Sequence, residues 1–256
     1  MKKIRSLLKY ICLFSNWWIA ASARYLRHHL GKKQVLYHRN GSRITFRPGS
    51  DYIALGEVFC IENYSPCLDA KKPLNVWDIG GNIGSFVLWH SSKMGEVSYH
   101  SFEPCEDTFK VLLENQQSNP SISWKVYPYG LSNKNEECEA YVPNDMYGQT
   151  SKYSAKGKKV ILPLRSINDV WSEFGKPKID LLKIDCEGGE YAIFKGCSAE
   201  FLEKVEYIIM EVHIIDEYNP RSITEKLGSA GFIIVENIQE QGVIWAKRGT
   251  RNPQQY

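Results

Sequence analysis

The spacing of apolar residues changes several times along the chain. In the first twenty positions Leu7, Leu8, Ile11, Leu13, Phe14, Trp17, Trp18 and Ile19 recur near helical period beside basic residues. That pattern predicts an amphipathic helix, lying on a membrane face or packing on the body. Gln34 to Arg47 alternates and then breaks at Arg47-Pro48-Gly49-Ser50-Asp51, which predicts a hairpin ending in a turn. Tyr52 to Leu68 is mixed and reads as a helix or irregular cover.

From residue 74 short β-rich runs alternate with stretches of helical period. The runs are Leu74–Ile79, Val97–Phe102, Ile122–Val126, Ile179–Ile184, Val205–Val212, Phe232–Val235 and Val243–Ala246, with helices expected near 83–93, 105–117, 189–196 and 220–229. This alternation predicts an α/β domain around a mostly parallel sheet. Glu137–Val142 and Lys159–Leu164 flank a polar stretch, 144–158, and interrupt the rhythm as an inserted hairpin or flap. The expected organisation is a basic arm, 1–33, before one catalytic-size domain, 34–256.

Composition is that of a globular protein, 43% apolar and 24% charged over 256 residues, which excludes a disordered or collagen-like chain. The net charge of +3 conceals an asymmetry. Residues 1–50 hold eleven of the 32 Lys and Arg and no acid, so the remaining 21 basic residues face all 29 Asp and Glu. Such an arm suits an anionic lipid, a nucleic acid or an acidic partner. Seven cysteines, with no C-x-x-C pair, suit free thiols in a reducing compartment. The expected location is therefore the cytoplasm, free or peripheral at the inner face of its membrane. Lys9 and Asn16 leave the N-terminal apolar run too short and polar to span a bilayer comfortably.

Chemistry concentrates in two strand–turn–helix segments. In Val76-Trp77-Asp78-Ile79-Gly80-Gly81-Asn82-Ile83-Gly84 a strand ends in an acid and enters a glycine turn. Ligands of open α/β sheets bind at the carboxyl ends of strands, where glycines let them approach the backbone. Ile79 and Asn82 stand where a dinucleotide G-x-G-x-x-G would need glycine, which argues against an NAD-dependent oxidoreductase. Glu103 closes the next strand, where a carboxylate can accept both hydroxyls of a ribose. Asp78 would repel a pyrophosphate yet suits the cationic amino-acid end of S-adenosylmethionine, directly or through water.

The second segment, Lys183-Ile184-Asp185-Cys186-Glu187-Gly188-Gly189-Glu190, crowds three carboxylates into six residues. A cation, a proton or a substrate hydroxyl should compensate them. Glu190 also suits a helix dipole. One strand later Glu211 and His213 share an orientation, and a His near neutral pKa could take a proton from a hydroxyl. Asp185, Glu187, Glu211 and His213 could equally hold a divalent cation.

The segments VWDIGGNIGSF at 76–86, SFEP at 101–104, YGLS at 129–132, LLKIDCEGGEYAIFKG at 181–196 and IIMEVH at 208–213 together resemble the FkbM-type S-adenosylmethionine-dependent methyltransferases. The first two blocks are shared widely among class I methyltransferases; KIDCEGGE followed by FKG and EVH is more specific. The resemblance implies a Rossmann-like fold, with a mostly parallel seven-stranded sheet and helices on both faces. It also implies methyl transfer to a hydroxyl of a sugar, glycan or secondary metabolite. It sets the cofactor's methionine end near Asp78, Gly80, Asn82 and Gly84, its ribose on Glu103 beside Pro104, and its adenine near Leu131 and Ser132. Asn133 replaces an acid common after that last block. Asp185, Glu187 and His213 are the candidates for the proton transfer.

Two rivals remain. The basic arm and the aromatics would suit an RNA methyltransferase, although the body is acidic and no N-P-P-Y-like motif is present. A nucleotide-binding or membrane-associated module without turnover leaves the acidic strand ends unexplained.

Overall fold

The computed structural model describes residues 2–25, 33–70, 74–142, 157–215, 218–238 and 242–249. The amphipathic segment forms two helices, α1 (Lys2–Leu13) and α2 (Trp18–Tyr25). Asn16 explains the break: its side chain donates to Val35 O at 2.9 Å and accepts from Tyr37 N at 2.8 Å, tying the corner to the following hairpin. That hairpin pairs β1 (Gln34–Tyr37) antiparallel with β2 (Arg43–Phe46). Its exit turn is clamped by Arg47, whose Nε and Nη2 donate to the buried Asp51 at 2.8 and 2.9 Å. The segment expected as a cover is helix α3 (Ser50–Leu55), which runs into a π-helical turn, Gly56–Ile61, and then a 3-10 turn, Ser65–Asp69.

The body then alternates as its periodicity predicts. In order come β3 (Asn75–Ile79), α4 (Ser85–Met94), β4 (Ser98–Phe102), α5 (Glu106–Gln117) and β5 (Ser123–Tyr127). Next are β6 (Gly130–Ser132), β7 (Glu136–Val142), β8 (Lys158–Ser166), α6 (Ile167–Glu173), β9 (Ile179–Ile184) and α7 (Glu190–Gly196). The chain continues through α8 (Ala199–Glu203), β10 (Val205–Glu211), α9 (Arg221–Ser229), β11 (Phe232–Ile238) and β12 (Val243–Arg248). β7 and β8 form the expected antiparallel insertion, joined by β6 in a three-stranded sheet. Most of the polar stretch between them, 143–156, lies outside the described residues.

The main sheet runs β11-β12-β10-β9-β3-β4-β5. β12 is antiparallel to both neighbours, and the other pairings are parallel. From β3 the chain builds outward to β5 and later restarts on the other side of β3 at β9. A crevice opens at such a switch point, beyond the carboxyl ends of the strands.

Period-two alternation sorts the strands onto two cores. Val76, Tyr99, Leu181 and Ile209 face α4 and α5, where Tyr10 and Phe14 of the N-terminal segment are also buried. Trp77, Ile79, Phe102, Leu182 and Ile208 face the layer of α6 to α9. Both faces of the sheet are thus covered, which is why its central strands read as nearly unbroken apolar runs.

Candidate functional site

The tips of the central strands are stitched together by main-chain bonds. Gly80 N donates to Phe102 O, Asp185 N to Ile79 O and Glu103 N to Tyr127 O, at 3.0, 3.0 and 3.1 Å. At Gly80, where φ is 75°, a Cβ would lie 1.7 Å from the carbonyl oxygen of Asp185, so the turn after β3 can meet β9 this closely with glycine alone. Gly84 has a different reason to be glycine. A Cβ there would strike the Trp124 ring at 2.2 Å, behind the turn.

Glu103 is nearly buried and its two oxygens are already held by the backbone. Oε2 accepts from Asn82 N at 3.0 Å and Oε1 from Cys105 N at 2.9 Å. Burial pushes its pKa up to about 7 against the pull of those N–H donors. A carboxylate has about four acceptor sites, so each oxygen can take a further donor from a ligand. Asn82 adopts φ 48°, and its buried Oδ1 meets no donor among the described residues.

Beneath this rim lies a buried charge pair. Asp78, Ser101 and Lys183 are in register across β3, β4 and β9 on one face of the sheet. Asp78 Oδ1 is 3.0 Å from Lys183 Nζ, and Oδ2 accepts from Ser101 Oγ at 2.9 Å. Lys183 also donates to Gly80 O at 2.7 Å, which links the pair to the glycine turn. Burial opposes its charge, but Asp78 and then Asp185 outweigh that and raise its pKa.

The other end of the crevice is acidic. Asp185 accepts from the hydroxyl of the buried Tyr64 at 2.7 Å. His213 Nδ1 is 2.9 Å from Oε1 of the fully buried Glu190, while its Nε2 is 3.5 Å from Glu187 and 4.0 Å from Glu211. Burial pushes both Glu187 and Glu211 up to about 7, with Asp185 adding to the shift and His213 opposing it. Glu57, from the π-helical turn, is raised as well, by burial and then by Asp185. For His213 burial lowers the pKa, but Glu190, followed by Asp185 and Glu187, raises it to about 9. The histidine expected near neutrality is an imidazolium at pH 7, because the carboxylates around it outnumber it. Among the described residues no three His, Cys, Asp or Glu converge as a metal site would.

These groups enclose a cleft of about 400 Å³, within the range of about 300–1,000 Å³ usual for small-molecule sites. Asp185, Glu187, His213, Gly80, Asn82, Glu103, Pro104, Leu131 and Ser132 all line it. Asp78 and Gly84 lie behind the wall: the Asp78 carboxylate is taken up by Lys183 and Ser101, and Gly84 backs onto Trp124. Residues 78–234 match the model of the methyltransferase FkbM domain. The chain belongs to the FkbM methyltransferase family.

The hexuronic acid methyltransferase AglP of Haloferax volcanii is 32% identical over 166 residues, which cover 63% of this chain and 64% of AglP. The chain thus spans just under two thirds of that relative. Methyltransferase sdnD of Sordaria araneosa is 30% identical over 209 residues, 68% of this chain and 80% of sdnD. A crystal structure of a methyltransferase FkbM from Methylobacillus flagellatus superposes with a TM-score of 0.42 at 18% identity, over 57% of this chain and 35% of that one.

Lys183 and Glu57 gain a place in the site that the sequence reading did not give them, while Tyr64 and Glu190, expected as cover and as helix-dipole partner, gain the specific partners Asp185 and His213. Lys183 had a legible signal: a lysine inside the apolar run Ile179–Ile184 needs a buried counter-ion. Glu190 was read as a dipole partner because the contact with His213, 23 residues away, is tertiary.

Proposed function

We propose that the protein is an S-adenosylmethionine-dependent O-methyltransferase acting on a hydroxyl of a sugar, glycan or secondary metabolite. The observation that carries this reading is the polarity of the cleft: a backbone-clamped Glu103 at one end, and a carboxylate-ringed histidine at the other. Bound there, S-adenosylmethionine would supply an electrophilic methyl group on a sulfonium. The residues fit such a ligand. Glu103 offers lone pairs to ribose hydroxyls, the unmatched Asn82 Oδ1 offers an acceptor, and Pro104 and Leu131 offer apolar wall to a base. Glu187, Glu211 and Asp185 favour a cationic group over a phosphate.

Catalysis then rests on holding the acceptor oxygen in line with the methyl and removing its proton. Glu190 fixes the histidine by accepting Nδ1–H, which leaves Nε2 as the basic nitrogen on the cleft side once His213 is neutral. Tyr64 holds Asp185, and Ile53, Ala54 and Glu57 wall the cleft from the N-terminal side, which helps exclude water. AglP, by its name a hexuronic acid methyltransferase, supports a sugar as the acceptor class.

The test is transfer of label from methyl-labelled S-adenosylmethionine to separated glycans, small polyols and RNA. Label in an alkali-stable methyl ether of a hydroxyl compound is expected. Label confined to an RNA base, or to an alkali-labile ester, would replace the hydroxyl reading.

A further inference from the structure

Helix α1 carries two apolar stripes, and the protein uses one. Tyr10 is buried, stacked on Tyr52 with ring centroids 5.9 Å apart. The same side of the helix is fixed by Lys9, whose ammonium is 2.6 Å from Glu62, and by Cys60, whose thiol donates to Ser6 O at 3.7 Å. The second stripe consists of Leu7 and Leu8, 40% and 55% exposed, with the half-buried Ile11 one turn on. Residues three and four apart lie side by side on a helix, so these form one patch. Trp18, 56% exposed, opens α2 after the corner at Asn16.

The sequence of this segment is basic, although Lys9 itself is paired with Glu62. Residues 1–33 contain Lys2, Lys3, Arg5, Lys9, Arg24, Arg27, Lys32 and Lys33 and no acid, against an acidic body. We propose that the outer face of α1 and the start of α2 dock the protein on an anionic lipid surface. Leucines at the acyl boundary, an indole at the headgroup level and lysines and arginines on phosphates are the complementary chemistry. No helix among the described residues is long and apolar enough to cross a membrane, and the docking is to one leaflet. α1 packs on the π-helical turn Gly56–Ile61, which also contributes Glu57 to the cleft. Docking therefore brings the cleft within one helical layer of the lipid, within reach of an acceptor carried on a lipid.

The experiment is flotation of the full chain through a sucrose step with vesicles of phosphatidylcholine alone or mixed with phosphatidylglycerol, at low and high salt. The chain is expected to float with the mixed vesicles at low salt and to stay behind with the neutral ones. Leu8→Glu combined with Trp18→Glu should reduce the floating fraction by at least about ten-fold, with Tm and S-adenosylmethionine affinity unchanged. Failure of the wild type to float, or equal flotation of the double variant, overturns the proposal. So does a dimer in light scattering that the double variant dissolves, since a second copy would then cover the stripe, and so does retention on RNA without vesicle binding. Cofactor affinity, measured on the same samples, separates failure of this proposal from failure of the methyltransferase reading.

Discussion

Lys183 Nζ lies 3.0 Å from Oδ1 of Asp78, and the parallel register of β3 and β9 sets the two side chains directly abreast. Both are almost wholly removed from water. The ammonium also reaches Gly80 O, so the charge pair holds the glycine turn from below. Removing one partner strands the other charge in the interior. Lys183→Met should therefore destabilise the protein by ~3–5 kcal/mol and weaken S-adenosylmethionine binding. Adding Asp78→Asn should recover part of the Tm but not the affinity. Thermal melts beside calorimetric titrations decide this, and an unchanged Tm in Lys183→Met would refute the coupling.

Gly80 and Gly41 make a matched comparison. Both have positive φ, but a Cβ at Gly41 meets nothing within 4 Å, whereas at Gly80 it meets the main chain of Asp185. Gly80→Ala should abolish cofactor binding and lower Tm well beyond Gly41→Ala, which bears the strain of its φ alone, about 1 kcal/mol. Equal losses in the two variants would show that the close approach of the turn to β9 is unimportant.

The cleft titrates near neutrality. Glu103, Glu187 and Glu211 have pKa values raised to about 7, so each binds protons more tightly in the folded than in the unfolded chain. Their contribution to stability is present below the ordinary carboxylate range and is lost as pH rises through about 7. His213, raised to about 9, contributes fully below its ordinary value and loses that contribution as pH rises through about 9. The Tm of the ligand-free protein should fall between pH 5 and 9 on the order of these pKa values. A cationic ligand favours the ionised carboxylates, so its affinity should rise from pH 6 to 8 with proton release. Calorimetry in buffers of different ionisation enthalpy measures this; proton uptake would contradict the assignment.

Glu190 acts through His213 rather than on the acceptor. Glu190→Gln should keep cofactor affinity while lowering kcat, and should move the pKa of the rate profile from about 9 down toward the ordinary histidine value of about 6.5. His213→Asn should lose that limb of the profile entirely. A rate profile with the same limb in all three proteins would remove His213 as the base.

The strands and the two acid-bearing turns were legible because they depend on local period and on glycine. Glu103 and Asp185 directly follow strands whose apolar runs are visible in the sequence, and Asp78 lies one residue before the end of another, β3, rather than at its tip. The N-terminal helix was legible as amphipathic, but its break at Asn16 depends on hydrogen bonds to β1, about twenty residues on. The short helices α6 and α8 follow from capping by Ser166 and Ser198 in stretches too brief to show a period. The charge state of His213 was not legible, since it is set by Glu190, Asp185 and Glu187 from other elements. The same holds for the pairing that places Asp78 under the cleft wall rather than on it.

Calorimetric titration of S-adenosylmethionine into the full chain and into Glu103→Ala tests the cofactor site most directly. One-site binding by the wild type, weakened by about a hundred-fold or more in the variant, is expected from loss of a buried acceptor facing two hydroxyls. No binding by the wild type, or equal affinity in the two proteins, would contradict it.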